Sequence, residues 1–299
     1  MPAQAVSADR PRRWDKLAII AGGGALPERL AEACARDGAP FTVIRLTGHA
    51  DDAMRRFPGH DCGLAEVGRA VRLLREDGCD ALVMAGLVRR PNLAGLTPDW
   101  RGAALLPKVV AAARRGDGAL LDVLVETFET EGFAVVGADE VAGGLTVEPG
   151  PLGAHAPGPR DWSDIAKAAR LIAALGPFDA GQGAVVRTGL VLAVEAAEGT
   201  DAMLARCAAL PSDLDGLEPG EAAGPRGVLV KRPKPGQELR VDLPTIGVRT
   251  VDLAREAGLS GIAVEAGASL VLDAEGVRRA ADAVGLFVQG FAATDLPDA

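Results

Sequence analysis

The stretch LAIIAGGGALPERL at positions 17–30 decides the fold of the first half of the chain. Its first five residues are apolar and predict a buried strand, which a glycine-rich turn joins to a helix from about 26 to 37. A second apolar run, FTVIRL, follows at 41–46 and predicts another strand. A strand, a helix and a strand in this order are typical of a parallel sheet that helices cover on both faces.

The same alternation continues through the first half. Further apolar runs and helical stripes follow at 64–74, 81–88, 102–115, 118–131 and 133–138. We therefore predict an N-terminal tail at 1–16 and a Rossmann-like α/β domain with a parallel sheet at 17–148.

A proline- and glycine-rich stretch, EPGPLGAHAPGPRDW at 148–162, has no hydrophobic periodicity. It predicts a linker at 149–161. Apolar runs and helical stripes alternate again after it, although less regularly, and predict a second α/β domain at 162–299. The fold class that we expect is α/β, with two α/β domains joined by this linker.

The composition excludes several classes of protein. A net charge of −9 argues against a nucleic-acid-binding surface, because binding phosphates along a backbone needs a basic face. The four cysteines form no CxxC pair and match no zinc module. We expect no signal peptide at the N-terminus, because the apolar run there is short and glycine-rich, and no run of the sequence reaches eighteen apolar residues. We therefore expect a cytoplasmic protein with reduced cysteines.

The glycine-rich turn is a candidate phosphate site. Backbone N–H groups of Gly22, Gly23 and Gly24 would point at an anion before the helix that contains Leu26, and the helix dipole would favour negative charge there. The dinucleotide fingerprint is incomplete, since Pro27 stands at its third glycine position. A tight turn without a ligand is the alternative. Arg89, with Arg90 and Asn92, follows the strand at 81–88 and is a further anion-binding candidate or a solvated loop.

The second half carries acids at the predicted ends of apolar strands. VEAAEGTD at 194–201 holds Glu195, Glu198 and Asp201, and Glu265 ends the run GIAVE. Thr200 is predicted to cap a helix that runs through residue 210. Carboxylates placed close together repel one another unless they face water or a cation. Each acid alone is compatible with an exposed surface position, but their shared placement favours a cation site.

A basic loop follows the next apolar strand. KRPKPGQELRVDLPTIG at 231–247 concentrates Lys231, Lys234 and Arg240 before Asp242, and its prolines stiffen it. Lysine and arginine can offset phosphate charge, while carboxylate oxygens bind Mg²⁺. The loop and the acids together predict a site for a pyrophosphate and a divalent cation.

In order along the chain, AIIAGGGALP, DGALL, VEAAEGTDAMLAR, GVLVKRPKPGQELRVDLPTIG and GIAVEAGASLVLD resemble the UDP-2,3-diacylglucosamine pyrophosphatases of lipid A biosynthesis. The type is the alphaproteobacterial one and not the calcineurin-like one. The resemblance covers 17–289. Glu238 departs from the family pattern, in which aspartate is expected, and this leaves the role of the position open.

The resemblance implies two α/β domains and a hydrolase that depends on Mg²⁺ or Mn²⁺. It implies cleavage of UDP-2,3-diacylglucosamine to UMP and 2,3-diacylglucosamine 1-phosphate (lipid X), with water added to the β-phosphorus, at the cytoplasmic face of the inner membrane. Asp242 matches the essential acid of the family. Homodimer formation stays open.

The candidate site joins the residue patterns to this resemblance. The expected catalytic residues are Asp242, Asp201 and Glu195. The expected substrate-binding residues are Gly22, Gly23, Gly24, Leu26, Arg89, Thr188, Thr200, Lys231, Lys234, Gln237, Arg240 and Thr245. The expected metal ligands are Asp242, Asp201, Glu198 and Glu265.

Two other functions are weighed against this one. A nucleotide-sugar dehydrogenase or epimerase could use the first domain, but the missing third glycine and the missing ribose-binding acid after residue 46 count against it. A non-catalytic nucleotide- or lipid-binding sensor would use the same residues as an enzyme, so only a turnover assay separates the two.

Overall fold

A computed structural model describes residues 13–89, 97–211, 214 and 224–296. The chain forms two compact units. The first comprises Met1–Gly144 with Glu238–Val241, and the second comprises Leu145–Gln237 with Asp242–Ala299. In the described ranges, no helix combines the length and the apolar character that a bilayer-spanning helix needs.

The first unit is built on a parallel sheet, as predicted. Its strands are β1 (Leu17–Ala21), β2 (Phe41–Leu46), β3 (Gly59–Cys62), β4 (Ala81–Ala85) and β5 (Ala134–Val135), and its helices are α1 (Ala25–Arg36), α2 (Val67–Glu76), α3 (Trp100–Ala113), α4 (Asp117–Thr130) and α5 (Ala138–Val141). The strand order is β3-β2-β1-β4-β5, and every pairing is parallel. The α/β class and the parallel first sheet are therefore confirmed.

The central strand β1 is buried at all five positions. Ala18 and Ile20 pack with α2 and α4 side chains on one face of the sheet, including Leu74 and Phe128. Side chains alternate between faces along a strand, so Leu17 and Ile19 point to the other face. A run that is apolar at every position, rather than at every second one, follows from this burial on both faces.

Strand β3 was not predicted, because GHDC has no apolar alternation. Its pairing with β2 places Gly59 opposite Val43. A Cβ atom at Gly59 would lie 1.9 Å from the Val43 carbonyl oxygen, so only glycine permits this approach. The strand is therefore defined by backbone proximity rather than by side-chain hydrophobicity.

The second unit has a mixed sheet and a small two-stranded one. Its strands are β6 (Gly150–Pro151), β7 (Gly183–Arg187), β8 (Leu190–Val194), β9 (Val228–Lys231), β10 (Thr245–Ile246), β11 (Gly261–Glu265), β12 (Leu270–Val271) and β13 (Phe287–Phe291), and its helices are α6 (Pro159–Leu175), α7 (Gly199–Ala208), α8 (Val248–Glu256) and α9 (Ala274–Val284). The order of the large sheet is β6-β13-β11-β9-β7-β8, and β10 pairs with β12.

Helices cover both faces of the large sheet. Ile165 and Ile172 of α6 pack against one face, next to Val186 and Val230. Side chains of α7, α8 and α9 form a second core cluster with residues such as Leu229. Strands β9, β11 and β13 run parallel, whereas β7 runs antiparallel to both β9 and β8. Strands β8, β9 and β11 therefore end at the same edge of the sheet, which we name the carboxyl edge.

The segment at 149–161 contains secondary structure. Strand β6 pairs antiparallel with β13, and the Ala154 N–H donates a hydrogen bond to the Asp282 carboxylate at 2.7 Å. Helix α6 begins at Pro159, a favoured residue for the first turn. Although its composition is that of a linker, the segment contributes an edge strand and a helix start to the second unit.

A close approach of backbone at the first glycine turn generates a stability prediction. Gly86 has φ +92°, and a Cβ atom there would lie 2.6 Å from the Gly23 carbonyl oxygen. Gly38 also has positive φ, at +60°, but faces open space. We expect Gly38→Ala to lower the free energy of unfolding by about 1 kcal/mol and Gly86→Ala by about 3 kcal/mol, because only the second adds a steric clash. Denaturant unfolding of both variants measures the difference, and equal losses would contradict the described approach.

Candidate functional site

Charged residues stand in a row along the carboxyl edge of the second sheet. Glu195 follows β8, Lys231 ends β9 and Glu265 ends β11. Lys231 pairs in register with Gly183 on one side and with Val264 on the other. The Glu195 N–H donates to the Gly183 carbonyl oxygen at 2.8 Å, which extends the ladder by one residue. The sheet thus places the acids and the lysine at one edge, because β8, β9 and β11 share one direction.

Lys231 is buried, with 6% of its surface exposed. Its Nζ donates a hydrogen bond to the Thr245 carbonyl oxygen at 3.2 Å. Burial lowers the pKa of Lys231 below the usual lysine value, and the charges of Glu195, Asp242 and Asp201 oppose that shift. A buried ammonium group is stable only when acids compensate it. Lys231 therefore requires the carboxylates around it.

Asp242 lies in the loop between β9 and β10. Its Oδ1 accepts a hydrogen bond from Gln182 Nε2 at 2.8 Å. Burial raises the pKa of Asp242 above its usual range, while the bond from Gln182 and the charges of Lys234 and Lys231 act in the opposite direction. The carboxylate is therefore held in a partly desolvated position between basic groups, which is typical of a functional acid.

The loop that carries Asp242 is fixed by its own side chains. Gln237 Oε1 accepts from the Lys234 N–H at 2.8 Å, and Gln237 Nε2 donates to the Asp242 carbonyl oxygen. Lys234 Nζ forms an ion pair with Asp179. Both polar atoms of the Gln237 amide are thus engaged within the loop, although the sequence predicted that Gln237 contacts substrate. The Thr245 hydroxyl likewise donates to the Leu243 carbonyl oxygen at 3.0 Å.

The Glu195 carboxylate is held in place through one of its two oxygens. Its Oε1 accepts a hydrogen bond from the Thr200 hydroxyl at 2.9 Å. Its Oε2 is buried and has no hydrogen-bond partner among the residues that the structure describes. Thr200 is not the N-cap that was predicted. Helix α7 begins at Gly199, so Glu198 occupies the N-cap position and Thr200 lies inside the first turn. Its hydroxyl instead orients the Glu195 carboxylate.

The predicted metal ligands do not meet at one point. Glu198 pairs with Arg206 at 2.8 Å, Asp201 with Arg249 at 2.5 Å, and Glu265 with Arg232 at 2.8 Å. Asp201 lies in the first turn of α7 and is exposed. Within the described ranges, no group of three or more His, Cys, Asp or Glu side chains is arranged to hold a metal ion. Each of these three acids is neutralised by its own arginine.

This donor set fits only one mode of Mg²⁺ binding. Mg²⁺ in phosphoryl-transfer sites is held by one or two carboxylates together with substrate phosphates and water, rather than by an all-protein cage. The charges of Glu195, Asp242 and Asp201 all act on the pKa of Lys231, but Asp201 is exposed and pairs with Arg249. The buried Glu195 Oε2, without a hydrogen-bond partner in the described part of the chain, is an oxygen of the required kind.

The backbone N–H groups of the glycine turn in the first unit donate hydrogen bonds to other groups of the protein. The Gly22 N–H donates to the Ala85 carbonyl oxygen at 2.8 Å, and the Gly23 N–H donates to that of Leu87 at 2.9 Å. The Gly24 N–H donates to the Asp51 carboxylate at 2.7 Å. A carboxylate of the chain thus occupies the position at the start of α1 where the sequence predicted a phosphate. A ligand phosphate would have to displace Asp51 to reach the Gly24 N–H.

The remaining predicted residues lie in different surroundings. Leu26 is half-buried in the first turn of α1, and Arg89 is exposed after β4. Arg90 and Asn92 lie outside the described residues. Arg240 belongs to the first unit, where it pairs with Glu238 at 2.6 Å and with Glu129 at 2.7 Å. These two acids raise the pKa of Arg240 above its usual value, so its charge is already balanced within the protein.

Thr188 is not at the carboxyl edge. Strand β7 runs antiparallel to β9, so its last residue lies at the opposite edge from Lys231. Thr188 follows β7 in the turn to β8 with φ 51°. Its N–H and that of Gly189 donate to the buried Asp164 carboxylate at 2.8 and 2.7 Å. Thr188 is therefore a turn residue, and the structure does not bring it together with Glu195 and Glu265 at the carboxyl edge.

Comparison with known proteins identifies the family. The model of the LpxI N-terminal domain matches residues 16–145, and that of the LpxI C-terminal domain matches residues 148–289. The chain is 52% identical over 275 residues to the UDP-2,3-diacylglucosamine pyrophosphatase LpxI of Caulobacter vibrioides, a match that covers 92% of this chain and 97% of that protein. This chain belongs to the LpxI family. The resemblance drawn from the sequence is confirmed, and with it the prediction of an enzyme of the pyrophosphatase class.

Two residues near the carboxyl edge of the second sheet were not predicted from the sequence. Gln182 and Asp179 contact Asp242 and Lys234, but they precede a strand and belong to no charged cluster. The signal that could have found Gln182 is its pair of flanking glycines. A Cβ atom at Gly181 would lie 1.9 Å from the Glu195 carbonyl oxygen, and one at Gly183 would lie 2.6 Å from Glu195 Oε2. The two glycines before the buried strand thus mark the place where the chain passes close to Glu195.

The carboxylate at the start of α1 generates a prediction. We expect Asp51→Ala to lower the free energy of unfolding by about 1 kcal/mol, because the Gly24 N–H and the positive end of the helix dipole lose their acceptor. The matched control is Asp52→Ala, whose side chain is 99% exposed and, within the described residues, pairs with Arg55 at the surface. Its effect should stay below about 0.5 kcal/mol. Urea unfolding measures both, and equal effects would contradict a capping role for Asp51.

Proposed function

We propose that this chain hydrolyses UDP-2,3-diacylglucosamine, the substrate named for its Caulobacter relative, to UMP and 2,3-diacylglucosamine 1-phosphate (lipid X). The observation that carries the proposal is the Asp242 carboxylate, partly desolvated and held by Gln182 under the influence of Lys231 and Lys234. An acid held between basic groups suits the hydrolysis of a phosphoric anhydride, which needs an activated water and compensation of phosphate charge.

The residues divide the chemistry as follows. Lys231 and Lys234 offset the negative charge of the pyrophosphate. Asp242 orients the attacking water and takes its proton. A bond forms between the water oxygen and the β-phosphorus, and the bond from that phosphorus to the bridging oxygen breaks. UMP then leaves with the bridging oxygen, while the new oxygen stays on lipid X.

We propose Mg²⁺ as the cofactor, with Mn²⁺ as a substitute. The carboxylates that would hold it are Asp242 and Glu195, with substrate phosphates and water completing its coordination. When bound, the ion would supply Lewis-acid neutralisation of the pyrophosphate. The buried Glu195 Oε2 supports this assignment over the more exposed acids Glu198 and Asp201, which have arginine partners.

The metal proposal gives a first prediction for activity. Hydrolysis of UDP-2,3-diacylglucosamine should stop in excess EDTA and return with Mg²⁺ or Mn²⁺. We expect Glu195→Gln to raise the Mg²⁺ concentration for half-maximal activity about tenfold or more, because a charged oxygen is lost. The matched control is Glu198→Gln, which removes the pair with Arg206 and the charge that backbone N–H groups before α7 stabilise, and should change that concentration less than about twofold. Full turnover in chelator would refute the metal requirement.

The role of Asp242 gives a second prediction. We expect Asp242→Ala to lower kcat by a factor of about 100 to 10,000, because the variant loses the group that activates water. Substrate should still bind and be recovered uncleaved from the purified variant by lipid extraction. Asp252→Ala, at an exposed position of α8, is the matched control and should retain wild-type activity. A folded Asp242→Ala enzyme with more than about a tenth of the wild-type rate would contradict the assignment.

The site of attack is testable with the same enzyme. Hydrolysis in ¹⁸O-labelled water should place the label on the phosphate of lipid X and leave UMP unlabelled. Label on UMP would mean attack on the α-phosphorus instead. Tight binding of the UDP-lipid without any product would favour a sensor over an enzyme.

We also propose that the protein meets its substrate at the cytoplasmic face of the inner membrane. The substrate carries two acyl chains, and two chains suffice to keep a lipid in a bilayer. Co-sedimentation with anionic lipid vesicles, with and without UDP-2,3-diacylglucosamine, tests this contact. Absence of the protein from the vesicle fraction in both arms would contradict it.

A further inference from the structure

Gln182 occupies a fixed position beside Asp242. It immediately precedes β7, and its carbonyl oxygen accepts a hydrogen bond from the Arg232 N–H at 3.0 Å. The next residue, Gly183, pairs in register with Lys231. The backbone of Gln182 is thus continuous with the central strands of the sheet, which makes it a rigid support for a side chain.

The amide of Gln182 reaches the carboxylate of Asp242 from this support. Its Nε2 donates to Asp242 Oδ1 at 2.8 Å. An ionised carboxylate has no proton to donate, so it can only accept hydrogen bonds. The NH₂ group of the Gln182 amide must therefore face it. A second glutamine, Gln237, donates to the backbone carbonyl oxygen of the same aspartate. One amide therefore fixes the reactive group, and the other fixes the chain that carries it.

We propose that Gln182 is a positioning residue, whose side-chain amide sets the direction in which the Asp242 carboxylate points during hydrolysis. This inference rests on the proposed function. Lys231 and Lys234 attract the carboxylate without fixing its rotation, because an ammonium group on a flexible stem is a point charge. A hydrogen bond from a planar amide on a sheet is directional and supplies the missing constraint.

The kinetic test separates positioning from a structural role. We expect Gln182→Leu to lower kcat about 10- to 100-fold while KM changes less than about threefold, because misorientation affects the reacting geometry and not substrate binding. The matched control is Gln289→Leu. Gln289 is a buried glutamine of β13 in the same sheet and donates to the Gly290 carbonyl oxygen. Its kcat should stay within about twofold of wild type.

A double-mutant cycle then asks whether Gln182 acts through Asp242. The variant with both Gln182→Leu and Asp242→Ala should match Asp242→Ala alone within about threefold, because the amide has nothing left to orient. Independent action, such as direct contact with substrate, would lower the rate of the double variant a further 10- to 100-fold and would overturn the proposal. A rise in KM with unchanged kcat for Gln182→Leu would overturn it as well.

A spectroscopic measurement needs no substrate. The side-chain amide resonance of Gln182 in a ¹H–¹⁵N spectrum is assigned by its loss in Gln182→Leu. It should move in Asp242→Ala and stay in place in Asp252→Ala. A resonance that does not respond to Asp242→Ala would overturn the contact itself. Failure of the wild-type protein to hydrolyse UDP-2,3-diacylglucosamine would instead refute the proposed function, so the two failures are distinguishable.

Discussion

A lysine charge buried at the end of a central strand is the constraint on which the carboxyl edge of the second unit depends. Lys231 can keep its charge while buried only if acids compensate it, because the desolvation of an isolated ammonium group amounts to several kcal/mol. Glu195, Asp242 and Asp201 supply that compensation. Glu195 in turn needs Gly181 and Gly183 beneath it, since a Cβ atom at either position would collide with it. One buried charge thus determines residue types on three neighbouring segments.

The architecture could largely be predicted from the sequence, because it follows from hydrophobic patterns of local origin. The strands at 17–21 and 41–46 have the bounds that their apolar runs indicate, and the parallel first sheet follows from the helix between them. The strand at 59–62 could not be predicted, because a glycine contact with Val43 defines it and no apolar pattern does. The turn position of Thr188 depends on the antiparallel direction of β7, which periodicity alone does not give.

The sequence indicated which charged residues share one edge of the second sheet but not what each of them contacts. Strand ends that carry acids and lysines did indicate the edge at Glu195, Lys231 and Glu265. Which group each residue contacts depends on partners far away in sequence: Gln182 is 60 residues from Asp242, and Glu129 is 111 residues from Arg240. A count of charged residues along the chain therefore overstates how many of them are available to a ligand. Asp201, Glu198 and Arg240 are candidates by residue type, yet each already has a partner of opposite charge.

The Asp51 carboxylate belongs to the same chain as the Gly24 N–H to which it bonds, and it competes with any free anion for that donor. A group attached to the same chain is present at an effective concentration in the millimolar range or above, whatever the composition of the solution. A dilute free anion such as phosphate must outcompete this permanent occupant and would bind the turn only weakly. A ligand that is already held elsewhere on the protein would compete at a similarly high effective concentration. The hydrogen bond from the Gly24 N–H to Asp51 therefore means that a glycine-rich turn before a helix does not by itself leave its donors open to a free anion.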